Sequence, residues 1–344
     1  MRENPLLRAI PAVTTCILCC LVFVVLAVCL LLRPPSADVT EAPIVKQVAT
    51  PLDVKVGEEK TLWQPPDSTR IPNTPAGDLI RYGRELVAHT AIYLGPSGTV
   101  MAISNGMNCQ NCHLKAGKKP FGNNYSGVAA TYPKFRPRSG GIETVEKRVN
   151  DCIERSLNGK KLDESSREMK AFVSYITWVG NEVAKGIYPK GAGIAEIPLM
   201  DRPADPLKGR IVYDKHCSRC HGTKGEGLRA DNGIEWKYPP LYNDNSYNVG
   251  AGLFRLSRFA GYVKANMPND AATFDNPVLS DEEAWDVAAF INSRPRPSKK
   301  FSADWPDIST KPYDHPFGPY ADGFTEDQHK FGPFAPIKAA SKKK

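Results

Sequence analysis

Two segments of this chain share a five-residue pattern of two cysteines followed by a histidine. Residues 109–113 read CQNCH and residues 217–221 read CSRCH. Two thiols at this spacing add to the two vinyl groups of one haem, and the adjacent histidine binds the iron. Structural or redox cysteine pairs are the alternative, and two complete motifs disfavour it. The sequence therefore predicts two covalently bound haem c groups, attached through Cys109, Cys112, Cys217 and Cys220 with His113 and His221 as proximal ligands.

The other five of the nine cysteines lie outside these motifs. Four of them stand in one apolar run near the N-terminus: Cys16, Cys19, Cys20 and Cys29. Cys152 is then left alone in the region that carries the haem motifs. An unmatched cysteine in an exported protein needs an explanation, since it indicates an intermolecular pair or a free thiol.

Residues 12–32 are 21 residues without a charge, and as a helix they would span roughly 30 Å, the thickness of a bilayer core. Arg2 and Arg8 precede the run, so residues 1–11 are predicted to be cytoplasmic and 12–32 to be a transmembrane anchor. A cleaved signal peptide is the alternative. Residues 33–60 read as a tether. Both interpretations place the haem motifs on the periplasmic side of a bacterial inner membrane.

Helical periodicity and punctuation divide the rest of the chain. Residues 61–185 and 205–297 each read as a helix with a glycine, a haem motif, irregular loops, a ligand region and a terminal helix. A Gly- and Pro-containing linker, 186–204, separates them. We therefore expect a mainly α fold with two class I cytochrome c-like domains in tandem. The predicted helices begin near Asp78, span 142–157, begin near Asp163, span 205–214 and begin after Ser280.

Residues 298–344 form a C-terminal extension without regular periodicity. It is nevertheless rich in aromatic side chains, which disordered tails lack. We predict an irregular but ordered strap that lies over the haem domains and frays only at 341–344. This segment is called the C-terminal strap below.

Each haem needs a second axial ligand or an open site. In the second half, Met267 lies 46 residues after His221 and is followed by Pro268, in a loop before the terminal helix. That half holds no other methionine after its haem motif. A packing role is the alternative, and the spacing favours His/Met ligation.

The first half has Cys152 in the corresponding slot, 39 residues after His113. The competing ligand is Met169, but it shares a helical stripe with Phe172 and Ile176 and reads as a core residue. Cys152 also falls on a helical stripe, which includes Ile142. The spacing leaves two interpretations open, an iron ligand and a buried free cysteine.

The neighbours of Cys152 favour a chemical role. Arg148, Arg155 and Ser156 lie one helical turn away on the same face. Arginines beside a thiol favour its thiolate form and bind tetrahedral oxyanions, although a solvated face or pairing with haem propionates would use the same charges. The net charge of +8 fits an anionic substrate or an acidic redox partner. The basic residues are scattered without a nucleic-acid motif, so nucleic acid is a poor ligand.

The sequence resembles the dihaem thiosulfate dehydrogenase (tetrathionate synthase) family over nearly everything after residue 60. The segment around Cys152 is the most specific part of the resemblance. The matching segments are 105–113, 132–138, 142–152, 155–159, the second haem motif, 266–268, 316–320 and 328–334.

The resemblance implies His/Cys ligation of the first haem by His113 and Cys152, and thiosulfate binding by Arg138, Arg148 and Ser156. It implies oxidation of two thiosulfates to tetrathionate, or the reverse reaction. Electrons would pass from the His/Cys haem to the His/Met haem and then to an external acceptor: a soluble cytochrome c, another high-potential carrier or a membrane oxidase. Some members have a lysine directly before the methionine; here that position is Asn266, which implies His/Met ligation without a switch.

Two other functions stay open at this point. The first is a membrane-anchored dihaem electron carrier that serves a terminal oxidase or reductase, for which a methionine would be expected in place of Cys152. The second is a subunit of a sulfur-oxidising complex whose haem-ligating cysteine carries the substrate. The resemblance in the C-terminal strap speaks against the second.

Overall fold

The computed structural model describes residues 55–56 and 61–341 of the chain. The predicted cytoplasmic segment, the predicted anchor and most of the predicted tether lie outside the described residues. Within the described part, no helix combines the length and apolar character that a bilayer crossing requires.

Most of the regular structure is helical. The described α-helices are α1 (Pro75–Ala88), α2 (Thr90–Leu94), α3 (Leu114–Gly117), α4 (Val128–Thr131), α5 (Val145–Arg155), α6 (Arg167–Val179), α7 (Pro206–His216), α8 (Ser218–His221), α9 (Leu256–Asn266), α10 (Asp281–Asn292), α11 (Glu326–Phe331) and α12 (Ala335–Ser341). Short 3-10 helices cover Ser68–Arg70, Cys109–Asn111, Gly252–Phe254 and Ile308–Thr310.

The strands are two or three residues long and pair two by two. They are β1 (Lys55–Val56) parallel to β5 (Ile187–Tyr188), and the antiparallel pairs β2 (Gly122–Asn124) with β6 (Gly193–Ile194), β3 (Lys134–Arg136) with β4 (Gly141–Glu143), and β7 (Leu228–Arg229) with β8 (Trp236–Tyr238). The end of the predicted tether and the predicted linker 186–204 therefore contain strands: β1 of the tether pairs with β5 of the linker, and β6 of the linker pairs with β2 of the first half.

In the first half, helix α1 crosses the terminal helix α6 at a glycine. The Thr74 hydroxyl accepts the Gly77 N–H at 3.3 Å and caps α1, and Pro75 occupies the first helical position. A Cβ on Gly83 would lie 1.9 Å from the Ala171 carbonyl oxygen, so only glycine allows this approach. The crossing buries Leu86, Val87, Met169, Phe172, Tyr175 and Ile176. Met169 is thus a core residue, as its stripe predicts.

The second half repeats this arrangement with α7 and α10. Ser280 caps α10 in a reciprocal pair with Glu283. A Cβ on Gly209 would lie 1.9 Å from the Asp286 carbonyl oxygen. Tyr213, Trp285 and Phe290 fill the core beneath this crossing. The two halves therefore share one packing solution.

The first half has about 18 extra residues between its glycine and its haem motif, and they form part of the contact between the halves. Asn105 donates from its amide nitrogen to the carbonyl oxygens of Asn245 and Ser246, at 3.2 and 3.1 Å. Asn248 of the second half donates its backbone N–H to the Arg155 carbonyl at 3.0 Å, at the end of α5. The second half thus contacts the first beside Cys152.

The C-terminal strap contains α11 and α12, so the prediction of an irregular strap is wrong for these residues. Residues 342–344 of the predicted frayed end lie outside the described residues. Phe334 and Ile337 are buried in the second core. Asp314 is fully buried, where its carboxylate accepts hydrogen bonds from the Arg255 guanidinium and from the backbone and hydroxyl of Ser257. Aromatic packing and this buried carboxylate fix a segment whose sequence lacks periodicity.

Helix α5 is shorter than the predicted span 142–157. The Thr144 hydroxyl accepts the Lys147 N–H at 3.2 Å and begins the helix at Val145. Ile142 instead pairs with Phe135 across β3 and β4, and its side chain is exposed. The assignment of Ile142 to the helical stripe is therefore wrong, because a capping residue and a strand interrupt the apolar period.

Candidate haem sites and substrate site

The second haem motif opens onto a cavity of about 470 Å³. Cys217, Cys220, His221 and Met267 all line it. The His221 Nδ1–H donates to the Pro239 carbonyl at 2.8 Å, which leaves Nε2 as the lone-pair nitrogen for iron. These groups fit one covalently attached haem with a histidine and a methionine available to its iron.

Met267 reaches this cavity because helix α9 ends just before it. Met267 is the C-cap residue, in extended conformation, and its backbone N–H still donates to the Val263 carbonyl at 2.8 Å. Asn266 is fully buried and donates its amide to the Phe121 and Tyr262 carbonyls at 3.1 and 3.0 Å. These hydrogen bonds of Met267 and of the preceding Asn266 fix the position of the methionine at the cavity.

In the first haem motif, too, the histidine Nδ1–H is held by a backbone carbonyl. The His113 Nδ1–H donates to the Asn123 carbonyl at 2.5 Å, and the ring packs on Tyr125 with 4.6 Å between centroids. Burial lowers the pKa of His113 to about 4, and it lowers the pKa of His221 as well. Both imidazoles are therefore neutral at neutral pH, as iron ligation requires.

Among the described residues none of the five cysteines, Cys109, Cys112, Cys152, Cys217 and Cys220, forms a disulfide. The motif cysteines are thus free for thioether bonds. Cys152 lies close enough to interact electrostatically with Cys109, Cys112 and Tyr125. Helix α5 therefore presents this thiol toward the first haem motif.

Two predicted site residues flank Cys152 on α5. Arg148 lies one turn before it, and the pKa of Arg148 is raised, chiefly by the charge of a Cys152 thiolate and against the opposing effect of burial. Ser156 lies one turn after it, at the C-cap, with its backbone N–H donated to the Cys152 carbonyl at 2.8 Å. A thiol, a guanidinium and a hydroxyl thus share one helical face.

Arg138 comes from a different element, the turn that joins β3 to β4. Burial and repulsion from Arg148 and Arg155 lower its pKa to about 10, so it remains charged at neutral pH. The turn itself is closed by the Gly140 N–H, which donates to the Arg136 carbonyl at 3.0 Å. The hairpin therefore brings Arg138 close to helix α5.

The acidic residues near this site pair with other cations. Asp151 pairs with Lys147 at 3.1 Å, and Glu143 pairs with Lys147 at 3.5 Å and Arg136 at 3.8 Å. Arg155, which helical spacing groups with Cys152, is instead paired with Asp304 at 2.7 Å. Among the residues that the structure describes, no carboxylate forms an ion pair with Lys134, Arg138 or Arg148. These three residues are called the cationic cluster.

Sequence reasoning missed Lys134 as a site residue. Its ammonium lies 4.9 Å from the centroid of the Tyr132 ring and interacts with Arg148. Burial, followed by repulsion from Arg136 and Arg148, lowers its pKa to about 8. The signal was the alternation in β3, which puts Lys134 and Arg136 on one face and the exposed Phe135 on the other. Partly buried cations of this kind, without an ion pair among the described residues, can bind small anions of high charge.

Comparison with known proteins agrees with this division. The family model described as "SoxA/TsdA, cytochrome c domain" matches residues 100–184, and the model described as "Cytochrome c" matches residues 207–295. Thiosulfate dehydrogenase of Psychrobacter arcticus is 36% identical over 244 residues, which are 70% of this chain and 71% of that protein. Thiosulfate dehydrogenase of Allochromatium vinosum is 34% identical over 240 residues, 67% of this chain and 83% of that protein.

The chain belongs to the thiosulfate dehydrogenase family. A solved structure of thiosulfate dehydrogenase (TsdBA) from Marichromatium purpuratum superposes with a TM-score of 0.63 at 31% identity. The match covers 70% of this chain and 51% of that longer chain. As a member of this family the protein is an oxidoreductase that carries two covalently bound haem c groups, and it is mainly helical with two cytochrome c domains in tandem.

Proposed function

We propose that this protein oxidises two thiosulfate ions to one tetrathionate ion and releases two electrons, and that the same site can run the reverse reaction. The observation that carries the proposal is the unpaired cationic cluster beside the one cysteine outside the haem motifs in the described chain. A site for two dianions needs cations beside its sulfur, whereas an electron-carrier domain would be expected to have a methionine in place of Cys152.

The ligand assignment that supports this function is His113 and Cys152 for the first haem, and His221 and Met267 for the second. The chemistry that the bound haems supply is one-electron acceptance, with electrons passing from the His/Cys haem to the His/Met haem and then to an external acceptor. Methionine ligation raises a haem potential relative to other ligands, which favours this direction of flow. The role of the cationic cluster and of Ser156 is to hold the substrate.

Several cations are required because two bound thiosulfate dianions repel each other. Two dianions about 6 Å apart repel each other by on the order of 10 kcal/mol at an effective dielectric constant of about 20. One guanidinium about 4 Å from a dianion recovers about 8 kcal/mol on the same scale. Arg138 and Arg148 together can therefore offset the repulsion, with bidentate hydrogen bonds to the sulfonate oxygens.

The bond changes follow thiol–disulfide exchange. The Cys152 sulfur forms a bond with the terminal sulfur of one thiosulfate, and this oxidation releases two electrons. The terminal sulfur of a second thiosulfate then attacks that same thiosulfate sulfur, the new bond completes tetrathionate, and the Cys152 thiolate is expelled. No proton is consumed, and the thiolate is regenerated for the next cycle.

The proposal also covers partner and location. The external acceptor is a soluble cytochrome c, another high-potential carrier or a membrane oxidase. The protein works on the periplasmic side of a bacterial inner membrane, anchored by residues 12–32 or released by cleavage. These assignments rest on the sequence of the N-terminal segment and on covalent haem attachment.

One assay tests the function. Purified protein with both haems attached is mixed with thiosulfate and ferricyanide, and tetrathionate is quantified against ferricyanide consumed. The proposal expects one tetrathionate for two ferricyanide ions reduced. A second assay supplies tetrathionate and a reduced dye. Absence of turnover in both directions would instead favour the dihaem electron carrier.

A further inference from the structure

The C-terminal strap returns from the second half to the substrate site of the first half. The Trp305 backbone N–H donates to the Arg138 carbonyl at 2.7 Å. Behind it, Pro306 packs on Gly140, where an added Cβ would lie 2.5 Å from the proline Cγ. The strap therefore lies directly against the turn that carries Arg138.

The neighbouring strap residue pairs with the end of helix α5. Asp304 accepts two hydrogen bonds from Arg155, at 2.7 and 2.8 Å, and the guanidinium also lies 3.7 Å from the centroid of the Phe301 ring. Arg155 is therefore neutralised and covered by the strap. This contact fixes residues 301–306 relative to Cys152.

Between these two contacts the Trp305 side chain faces Arg138. The guanidinium carbon lies 5.9 Å from the indole centroid, within cation–π range. The indole N–H donates to His315 Nε2 at 3.1 Å, and the His315 Nδ1–H donates to the Phe317 carbonyl at 3.1 Å. The indole of Trp305 therefore has two defined partners, the Arg138 guanidinium on its ring face and the His315 imidazole at its N–H.

The Trp305 backbone has a φ of +61°, in the left-handed region that bulky side chains rarely adopt. Such conformations persist only where surrounding contacts over-determine them, and they concentrate at functional sites. Here the backbone hydrogen bond to Arg138 and the side-chain hydrogen bond to His315 hold Trp305 in this conformation. The strap accepts an unfavourable backbone conformation to keep the indole beside the guanidinium.

We propose that Trp305 is a positioning residue that holds Arg138 in place for thiosulfate, so that the C-terminal strap completes the substrate site. The inference rests on the proposed function. Arg138 has a long side chain and no ion pair in the described part of the chain, so an aromatic face is what restricts its rotamers. A preorganised guanidinium binds an anion more tightly because less entropy is lost on binding.

The test is a double-mutant cycle on the dihaem protein with Trp305→Phe, Arg138→Gln and the double variant. Thiosulfate KM and kcat are measured with ferricyanide, together with the competitive inhibition constant of sulfate at fixed ionic strength. Tyr320→Phe is the matched strap control, since its ring stacks on His329 and its hydroxyl lacks a hydrogen-bond partner among the described groups. His315→Ala is a second variant, which keeps the indole but removes its acceptor together with the imidazole contacts to Trp305 and Phe317.

The expected result is a roughly threefold to tenfold rise in KM and in the sulfate constant for Trp305→Phe, with kcat within about twofold. His315→Ala shifts both constants in the same direction by less, and Tyr320→Phe leaves them unchanged. In the Arg138→Gln background Trp305→Phe adds no further rise, because the two residues act as one unit. Equal factors in both backgrounds, or no change in the first, overturn the proposal.

A failure of the proposed function gives a different pattern. If wild-type protein turns over neither thiosulfate nor tetrathionate, sulfate binding by calorimetry and hydrogen exchange of the hairpin 134–143 replace kinetics. Faster exchange and weaker sulfate binding in Trp305→Phe, absent in Tyr320→Phe, then still support the positioning role. Unchanged exchange and unchanged sulfate binding contradict it.

Discussion

Helices α5 and α9 occupy the same place in the two halves, between the haem motif and the terminal helix, and each has 11 residues. Helix α9 ends at Asn266 and delivers Met267 from its C-cap. Helix α5 carries Cys152 in its interior, with Arg148 one turn before and Ser156 one turn after. The second half thus places a methionine sulfur just beyond a helix end, whereas the first places a cysteine sulfur inside a helix, between an arginine and a serine.

The comparison teaches that one packing solution can hold two kinds of haem site. Both halves rely on a glycine at a helix crossing and on a histidine whose Nδ1–H is held by a backbone carbonyl. They differ in what surrounds the distal position. Among the described residues, only the first half has a cysteine outside its haem motif, with the cationic cluster beside it and residues 301–306 of the C-terminal strap against it. We therefore assign substrate chemistry to the first half and electron exit to the second.

The largest effect is expected where the two halves are alike. Gly83→Ala and Gly209→Ala each place a Cβ 1.9 Å from a backbone carbonyl oxygen, and each should lower the free energy of unfolding by about 3 kcal/mol or more. Thermal unfolding of the dihaem protein measures this. Gly141→Ala and Gly252→Ala, which meet nothing within 4 Å, are the controls in each half. If Gly83→Ala left the free energy of unfolding unchanged while Gly209→Ala lowered it, the two helix crossings would not be equivalent.

Arg148→Gln separates the halves chemically. Removing a partly buried cation close to the thiol should lower kcat/KM for thiosulfate by about 100-fold or more, as loss of a preorganised charge does in other active sites. Steady-state kinetics with ferricyanide checks the loss. Arg210→Gln, which removes an exposed cation paired with Asp214 in the second half, should stay within about twofold of wild type. Equal losses in both variants would contradict a charge-dependent site in the first half.

Met267→Ala sharpens the assignment of the second half. The thiosulfate KM should stay within about twofold while kcat falls about tenfold, because the substrate site is untouched and the electron exit loses its high-potential ligand. Redox titration should show one lowered haem potential. Met200→Leu, a linker residue that packs against the core of the second half, serves as control. A large rise in KM would place substrate contacts in the second half.

The smallest predicted effect is a pH dependence from Lys134. Burial and the facing cations Arg136 and Arg148 lower its pKa to about 8, against the attraction of Glu143. Its charge is therefore lost as pH rises through about 8, and the thiosulfate KM should rise a few-fold between about pH 7 and 9.5. Lys134→Arg keeps the charge and should flatten this rise. The same rise in that variant would exclude Lys134 as its origin.

Much of this molecule can be predicted from its sequence because the informative signals are local. The haem motifs, the capped terminal helix after Ser280 and the core position of Met169 each depend on residues a few positions apart. The same local logic failed at Ile142, because an N-cap at Thr144 begins the helix later than the apolar period suggests.

Long-range contacts could not be predicted in this way. Arg155 pairs with Asp304, 149 residues later in the chain, and helical spacing alone grouped it with Cys152. The neighbours of Arg138 depend on a hairpin and on Trp305 from the C-terminal strap. Which cations form ion pairs with carboxylates depends on the tertiary structure. The cationic cluster can therefore be identified only once the fold is known.

The most direct test of the account replaces Cys152 by the ligand of the other half. Cys152→Met and Cys152→Ala are purified with both haems attached, and thiosulfate oxidation and haem spectra are compared with wild type. We expect Cys152→Met to retain two six-coordinate haems, and both variants to lose turnover by about 1000-fold or more, since the covalent step has no thiolate nucleophile. Full thiosulfate turnover in either variant, with both haems bound, would contradict the assignment of sulfur chemistry to Cys152.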